Sequence, residues 1–187
     1  MDVKIFIKNN LLIAGGGIIG ITIAREAALS KKFSEIIVLE KDLKLGSHSS
    51  TRNSGVIHAG FYYTPESIKA KFCSEGNKLM RDYCIRNKIE SNRCGKVVVS
   101  KNDTDDKNIY DLYKRGIDNG CELEILEKKN LNKYEPLACT NNQFLWSPNT
   151  WSISPDDLFN CLVKECEELG IKFIKGEKII FADNKKL

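Results

Sequence analysis

The stretch "AGGGIIG" at residues 14–20 follows a short apolar run and opens a segment with helical spacing. Such a pattern commits the chain to a strand that turns sharply into a helix. "NLLIA" (10–14) reads as a short buried strand. From Ile18 to about Ser30, Ile18, Ile19, Ile21, Ile23, Ala24, Ala27 and Ala28 predict an almost wholly apolar helix, with Arg25 and Glu26 the exceptions. "EIIVLE" (35–40) follows as a second strand, apolar on both faces as a parallel sheet requires. Strand, glycine turn, helix and strand make a βαβ unit, so the expected fold class is α/β with a Rossmann-like nucleotide-binding domain.

Each glycine has its own task in such a unit. Gly15 makes the tight turn out of the strand, Gly17 leaves room for a pyrophosphate, and Gly20 lets helix and strand pack closely. The phosphates would then sit on backbone N–H groups at the positive end of the helix. Glu40 ends the second strand, 20 residues after Gly20, where a carboxylate accepts hydrogen bonds from ribose hydroxyls. The residues up to this point specify an ADP-containing dinucleotide, and both NAD and FAD use the same unit.

Composition narrows the class. The chain has 187 residues, 42% hydrophobic and 29% charged, which suits a folded protein rather than a disordered one. The net charge of +4 comes from lysine pairs scattered among acids, a solvated pattern that does not suggest a nucleic-acid partner. No apolar run approaches the roughly 20 residues that span a bilayer. The start carries no signal-peptide cleavage site, so a cytoplasmic protein is expected, peripheral on the inner membrane if it meets a membrane at all. Seven cysteines without a C-x-x-C read as small core residues in a reducing compartment, and no metal site is expected.

Further along, residues 42–63 have no period and are rich in Ser, Gly, Asn and His, the mark of a long functional loop. A helix is predicted from Thr64-Pro65-Glu66 to about Asn87, with Ile68, Phe72, Leu79, Met80 and Tyr83 as its buried stripe. "GKVVVS" (95–100) and "ELEIL" predict strands around an amphipathic helix over 103–120, closed by Asn119-Gly120. "EKKNLNKYEP" predicts a helical turn stopped by Pro136, and "QFLWSPNTWSISP" strand and loop. Asp156 to Gly170 predicts a helix carrying Leu158, Phe159, Leu162, Val163, Cys166 and Leu169 inward. "IKFIKGEKIIFADNKKL" predicts a strand and then a hairpin whose return strand is missing, the pattern of a truncated chain.

The loop carries a resemblance. Asn53-Ser54-Gly55-Val56-Ile57-His58, Gly60, Tyr62-Tyr63, Pro65, Ser67, Lys69-Ala70, Cys73, Gly76 and "CGK" at 94–96 are similar to the D-amino-acid-oxidase-type flavoprotein superfamily. Within it they most resemble the L-2-hydroxyglutarate oxidase/dehydrogenase family, which "NLNKYEP" also resembles. The resemblance implies FAD as cofactor, with residues 1–90 as the FAD-binding unit, flavin loop and adjoining helix. It implies the first part of a mixed-sheet substrate domain over 91–153, and an incomplete return to the FAD domain over 154–187. Two departures stand out: Arg52 where the family reads histidine, and Trp151 within "SPNTWSISPDD" where it reads a glycine-containing segment.

By the same resemblance, Glu40 and Lys41 belong to the adenosine side, and Ser49, Ser50, Asn53, Ser54 and Gly55 to the flavin side. His58 corresponds to a histidine near the flavin ring; it is either a general base for the substrate hydroxyl or a residue that orders the loop. Arg52 and Lys69 are candidate partners for a substrate carboxylate, or solvated charges; Tyr62 lines the ring edge or packs. The implied activity is FAD-dependent oxidation of a small 2-hydroxy acid, L-2-hydroxyglutarate, to 2-oxoglutarate by hydride transfer. Oxygen or a membrane quinone pool would accept the electrons. The alternatives are a glycerol-3-phosphate or amino-acid oxidoreductase of the superfamily, or a non-catalytic nucleotide-binding fragment.

Overall fold

The structure is a computed structural model that describes residues 9–179. It divides into two compact units, one running to Ser54 and resuming at Pro155, the other Gly55–Ser154.

In the first unit β1 (Asn10–Ala14), α1 (Ile18–Leu29) and β2 (Glu35–Glu40) form the βαβ unit, with the bounds the sequence predicts to within a residue. β1 and β2 are parallel, Asn10 opposite Glu35 and Ala14 opposite Leu39. β9 (Lys172–Lys175) adds in parallel on the far side of β2, placing β2 in the middle. This explains why Ile36, Ile37 and Val38 are buried in succession: a central parallel strand is covered on both faces. α4 (Pro155–Glu168) leads into β9 and packs on α1. The Cys166 thiol donates to the Ile21 carbonyl at 3.6 Å, and Arg25 pairs with Glu165 at 2.7 Å. Leu158, Phe159, Leu162 and Cys166 point inward as expected, Val163 is half-buried, and Leu169 is exposed because α4 has ended before it. α1 turns Gly20, Ile21 and Ala24 inward and leaves Ile19 and Ile23 in solvent, so its apolar surface exceeds what this unit covers. The hairpin expected after β9 lies outside the described residues.

In the second unit β3 (Val56–Ile57), β8 (Trp151–Ile153) and β4 (Ser91–Asn92) form a small antiparallel sheet in the order β3-β8-β4. The sequence reading places residues 55–90 with the nucleotide unit. In the structure they share sheet and core with 91–154, because Val56 and Ile57 pair with Ser152 and Trp151. A second antiparallel sheet has the order β5-β7-β6, from β5 (Lys96–Val99), β7 (Gln143–Ser147) and β6 (Glu124–Glu127). α3 (Asp103–Asp118) packs on it, capped by Asn102, whose side chain accepts the Asp105 N–H at 3.0 Å. Lys128–Lys133 forms a 3-10 turn. Ala59, Phe61, Ile109, Leu123 and Leu145 make one core, and Ile57, Cys84 and Trp151 the other.

α2 (Ile68–Arg86) corrects two expectations. It starts later than Thr64-Pro65-Glu66, because Glu66 has a φ of +64°, outside the helical region, and the cap is Ser67, which accepts the Ala70 N–H at 3.1 Å. The buried face is Ala70, Asn77 and Cys84, joined by Tyr83, while Ile68, Phe72 and Leu79 are 73%, 65% and 66% exposed. At about 100° per residue Ala70, Asn77 and Cys84 lie opposite Ile68, Phe72 and Leu79, whereas Tyr83 and Met80 of the expected stripe are covered, Met80 against the core of Ile57, Cys84 and Trp151.

Candidate functional site

The glycine turn is held between the two strands that flank it. Gly15 N–H donates to the Leu39 carbonyl at 2.7 Å, with Gly15 at a φ of +104°. A Cβ on Gly20 would fall well inside contact distance of the Gly15 carbonyl, so the first turn of α1 rests directly on the end of β1. Gly16 N–H donates to Glu40 Oε2 at 2.7 Å, and Asp42 N–H donates to Glu40 Oε1 at 3.0 Å. A buried carboxylate thus joins the glycine turn to the start of the following loop.

The loop folds back onto the same turn. Gly46 N–H donates to the Gly16 carbonyl at 3.0 Å, and the Thr51 hydroxyl donates to the Gly46 carbonyl at 2.9 Å. Gly17, the N-cap of α1, has no side chain to cap the helix, and Ser50 does so from the loop, its Oγ accepting the Ile18 N–H at 2.9 Å. A Cβ on Gly17 would lie 3.0 Å from that Oγ. Asn53 donates to the Ser49 and Ser50 carbonyls at 3.0 and 3.1 Å, which fixes the backbone that presents Ser50.

These constraints surround a cavity of about 350 Å³. Ala14, Gly15, Gly17, Leu39, Glu40, Lys41 and the loop residues Gly46–Ser50 line it, with Glu177–Ile179. Of the residues expected at a nucleotide, Gly15, Gly17, Glu40, Lys41, Ser49 and Ser50 meet at this wall. Gly20 and Asn53 act on it from behind. Ser54 and Arg52 are exposed loop residues of the same unit. Sequence reasoning passed over Gly16, where a Cβ would stand 2.5 Å from Leu45 Cδ2, and over Gly46, Ser47 and His48. The middle glycine of the "GGG" run is the available signal for the first of these. His48 faces Asp42 at 2.8 Å.

The donor set suits the ADP half of a dinucleotide. An apolar floor, a helix N-terminus behind glycines, and a carboxylate with lone pairs beyond those given to Gly16 and Asp42 are what phosphate and ribose require.

The remaining expected residues belong to the second unit. Gly55 is buried at a φ of +66°, and its carbonyl accepts the Ile153 N–H at 2.9 Å. His58 is exposed, but its backbone is pinned: its carbonyl accepts from the Cys73 thiol at 3.6 Å and from Asn77 at 3.1 Å. Asn77, buried and unanticipated from sequence, also donates to the Ile57 and Asn149 carbonyls at 3.4 and 2.9 Å. Partial burial, then the Lys96 ammonium, hold the His58 imidazole below its ordinary range. Lys96 stands 4.7 Å from the Tyr62 ring centroid, and Tyr62 rests on Phe61 at 4.1 Å. Lys69 is exposed. Trp151, the departure noted in the sequence, is a core residue, with the guanidiniums of Arg81 and Arg93 at 5.2 and 4.6 Å from its ring. Among the described residues there is no cluster able to hold a metal and no helix long and apolar enough to cross a membrane.

Fold and cavity define a dinucleotide-binding α/β protein with an antiparallel second unit. The family of FAD dependent oxidoreductases named DAO matches residues 10–185, and the chain belongs to that family, whose cofactor is FAD. It is 40% identical over 171 residues to the mitochondrial L-2-hydroxyglutarate dehydrogenase of Dictyostelium discoideum, covering 90% of this chain and 38% of that protein. Against the Homo sapiens protein of the same name the identity is 34% over 162 residues, covering 86% and 35%. The chain therefore spans little more than a third of the curated relatives it matches. Among solved structures, FAD-bound L-alpha-glycerophosphate oxidase from Mycoplasma pneumoniae matches with a TM-score of 0.83 at 26% identity, covering 91% of this chain and 45% of that one. Glycine oxidase from Geobacillus kaustophilus shares the fold, with a TM-score of 0.77 at 20% identity over 90% and 47% of the two chains.

Proposed function

We propose that this chain supplies the FAD-binding unit and the start of the substrate domain of an enzyme that oxidises a small 2-hydroxy acid, L-2-hydroxyglutarate, to its 2-oxo acid. The observation that carries the reading is the 40% identity over nine-tenths of the chain to a protein named for that substrate. It coincides with a cavity whose wall fits the cofactor.

In this reading Gly15 and Gly17 leave the pyrophosphate room, and the first N–H groups of α1 face its charge. Glu40 accepts the ribose hydroxyls, with Lys41 beside it. Ser50 already accepts the Ile18 N–H, so its own proton is free to go to a phosphate oxygen. Ser49, Asn53, Ser54 and Gly55 shape the loop on the flavin side. FAD, when bound, accepts a hydride equivalent from the substrate carbon. His58, kept neutral by its surroundings, takes the hydroxyl proton, so that loss of one hydride and one proton converts the alcohol to the ketone. Oxygen or a membrane quinone would be the final electron acceptor, and the cytoplasm or the inner membrane face the place of work.

Anaerobic addition of L-2-hydroxyglutarate to the FAD-loaded protein tests this. Bleaching of the flavin absorbance supports it. A flavin that stays oxidised with this acid but bleaches with glycerol 3-phosphate replaces the substrate, a second reading favoured by the match to the glycerophosphate oxidase.

A further inference from the structure

Lys96 opens β5 immediately after the turn at Cys94-Gly95. Its side chain is half-buried, and its ammonium lies 4.7 Å from the Tyr62 ring centroid and 6.0 Å from that of Phe61. Those two rings are in contact, tilted by 33°, and Phe61 is fully buried in the core with Ala59, Ile109, Leu123 and Leu145. The ammonium is thus mounted on a rigid aromatic shelf rather than on a free stem. Among the described residues Lys96 belongs to no ion pair, although Lys129, Lys164 and Lys172 each have one. Its positive field reaches His58, whose own backbone is fixed by Asn77. A half-buried cation with aromatic support, no carboxylate of its own and a backbone-anchored histidine within its field is an incomplete charge pair. The missing member is an anion supplied by a ligand.

We propose that Lys96 is the anchor for a substrate carboxylate, its ammonium held over Tyr62 in the same unit as His58. The inference rests on the hydroxy-acid reading given above and names the residue that selects the acid. It replaces Lys69 and Arg52, both exposed and without a supporting shelf, as the expected carboxylate partner. Neither hydride nor proton moves at Lys96. Its part is to bind and orient, bringing the carbon bearing the hydroxyl toward the imidazole.

The chain has only two histidines, so nuclear magnetic resonance resolves His58 with His48 as the internal control. The 187-residue chain, with FAD added, is titrated with glutarate, which has the two carboxylates but nothing to oxidise. K96M keeps the stem over Tyr62 and removes the charge; K96R keeps the charge. The expected result is a saturable shift of the His58 signals in wild type and K96R, with binding weakened about tenfold or more in K96M, the equivalent of one lost charged contact. Equal binding in K96M, or no response of His58 in the folded wild type, overturns the proposal. So does a response to glycerol 3-phosphate but not glutarate, which would assign the cation to a phosphate. Because glutarate cannot be oxidised, the result stands apart from the turnover test. A flavin that L-2-hydroxyglutarate fails to bleach leaves a Lys96-dependent glutarate site intact, and a bleached flavin does not rescue a Lys96 that glutarate ignores.

Discussion

Glu40 Oε2 accepts the Gly16 N–H at 2.7 Å, tying the end of β2 to the glycine turn at the end of β1. The same carboxylate takes the Asp42 N–H at 3.0 Å, so one buried side chain satisfies two backbone donors and faces the cavity. Glu40→Ala leaves both donors unpaired and is expected to cost about 1–3 kcal/mol of stability as well as FAD retention. Glu40→Gln keeps one acceptor and turns an NH2 toward the other N–H, so its stability should fall between wild type and the alanine variant, with FAD held more weakly. Thermal unfolding and flavin absorbance after gel filtration separate the two. An alanine variant as stable and as yellow as wild type would remove Glu40 from the site.

Two glycines give opposite expectations for the same substitution. In Gly20→Ala the new methyl meets the Gly15 carbonyl, which is backbone and cannot swing away, so α1 must shift off β1. A loss of about 1–3 kcal/mol and of bound FAD is expected. Gly76 lies inside α2 with nothing within 4 Å of an added Cβ, so Gly76→Ala should stabilise by about 0.4–1 kcal/mol through the unfolded chain. Urea titrations of both variants check the contrast. A Gly20→Ala chain of wild-type stability would contradict the close packing of α1 on β1.

The βαβ unit was legible because its signals are local. Glycine spacing, apolar runs and a terminal acid all act within a few residues, and β1, α1 and β2 fall where they predict. Gly16 and Ser50 are harder to read, since their roles depend on the loop returning to the turn through Gly46 and Ile18. α2 misled for a different reason. Ile68, Phe72 and Leu79 make a helical stripe, yet the sheet it faces has only β3, β8 and β4 to offer, and Ala70, Asn77 and Cys84 fit against it more closely. Asn77 could not be read as a buried anchor, because its three carbonyl partners come from β3, the residue after it, and a loop 72 residues away.

The thiols divide by environment. Cys94 and Cys139 are exposed, whereas Cys84 and Cys166 are fully covered. Burial, reinforced by Glu165, pushes the Cys166 thiol up to about 11, which leaves almost no thiolate at neutral pH. An aromatic disulfide reagent should therefore modify Cys94 and Cys139 within minutes in the native chain, and Cys84 and Cys166 only on unfolding. Peptide mapping identifies the sites. Native labelling of Cys166 would place α4 off α1.

His58 makes the pH dependence directional. Burial and then the Lys96 ammonium depress its proton affinity in the fold, while the unfolded chain returns it to the ordinary value near 6.5. Above that value both states are neutral and the residue adds no pH dependence. As pH falls through the window below it, the unfolded chain binds the proton first, and stability drops. His58→Gln removes that slope, so the difference in unfolding temperature between wild type and variant should change as pH falls below about 6.5 and level off above it. On the proposed reading, in which the neutral imidazole is the base, turnover has the same sign. The rate of flavin reduction should rise with pH through a value lower than that of a free histidine, and His58→Gln should lose about 10²- to 10⁴-fold of it with the flavin still bound. Asn77→Ala releases the His58 carbonyl, and Asn77→Ser retains a hydroxyl donor on a shorter side chain. Flavin reduction that falls in the alanine variant, recovers in part with serine, and keeps its pH midpoint would mark misplacement of the base rather than its loss. A His58→Gln protein that reduces at the wild-type rate would return His58 to ordering the loop.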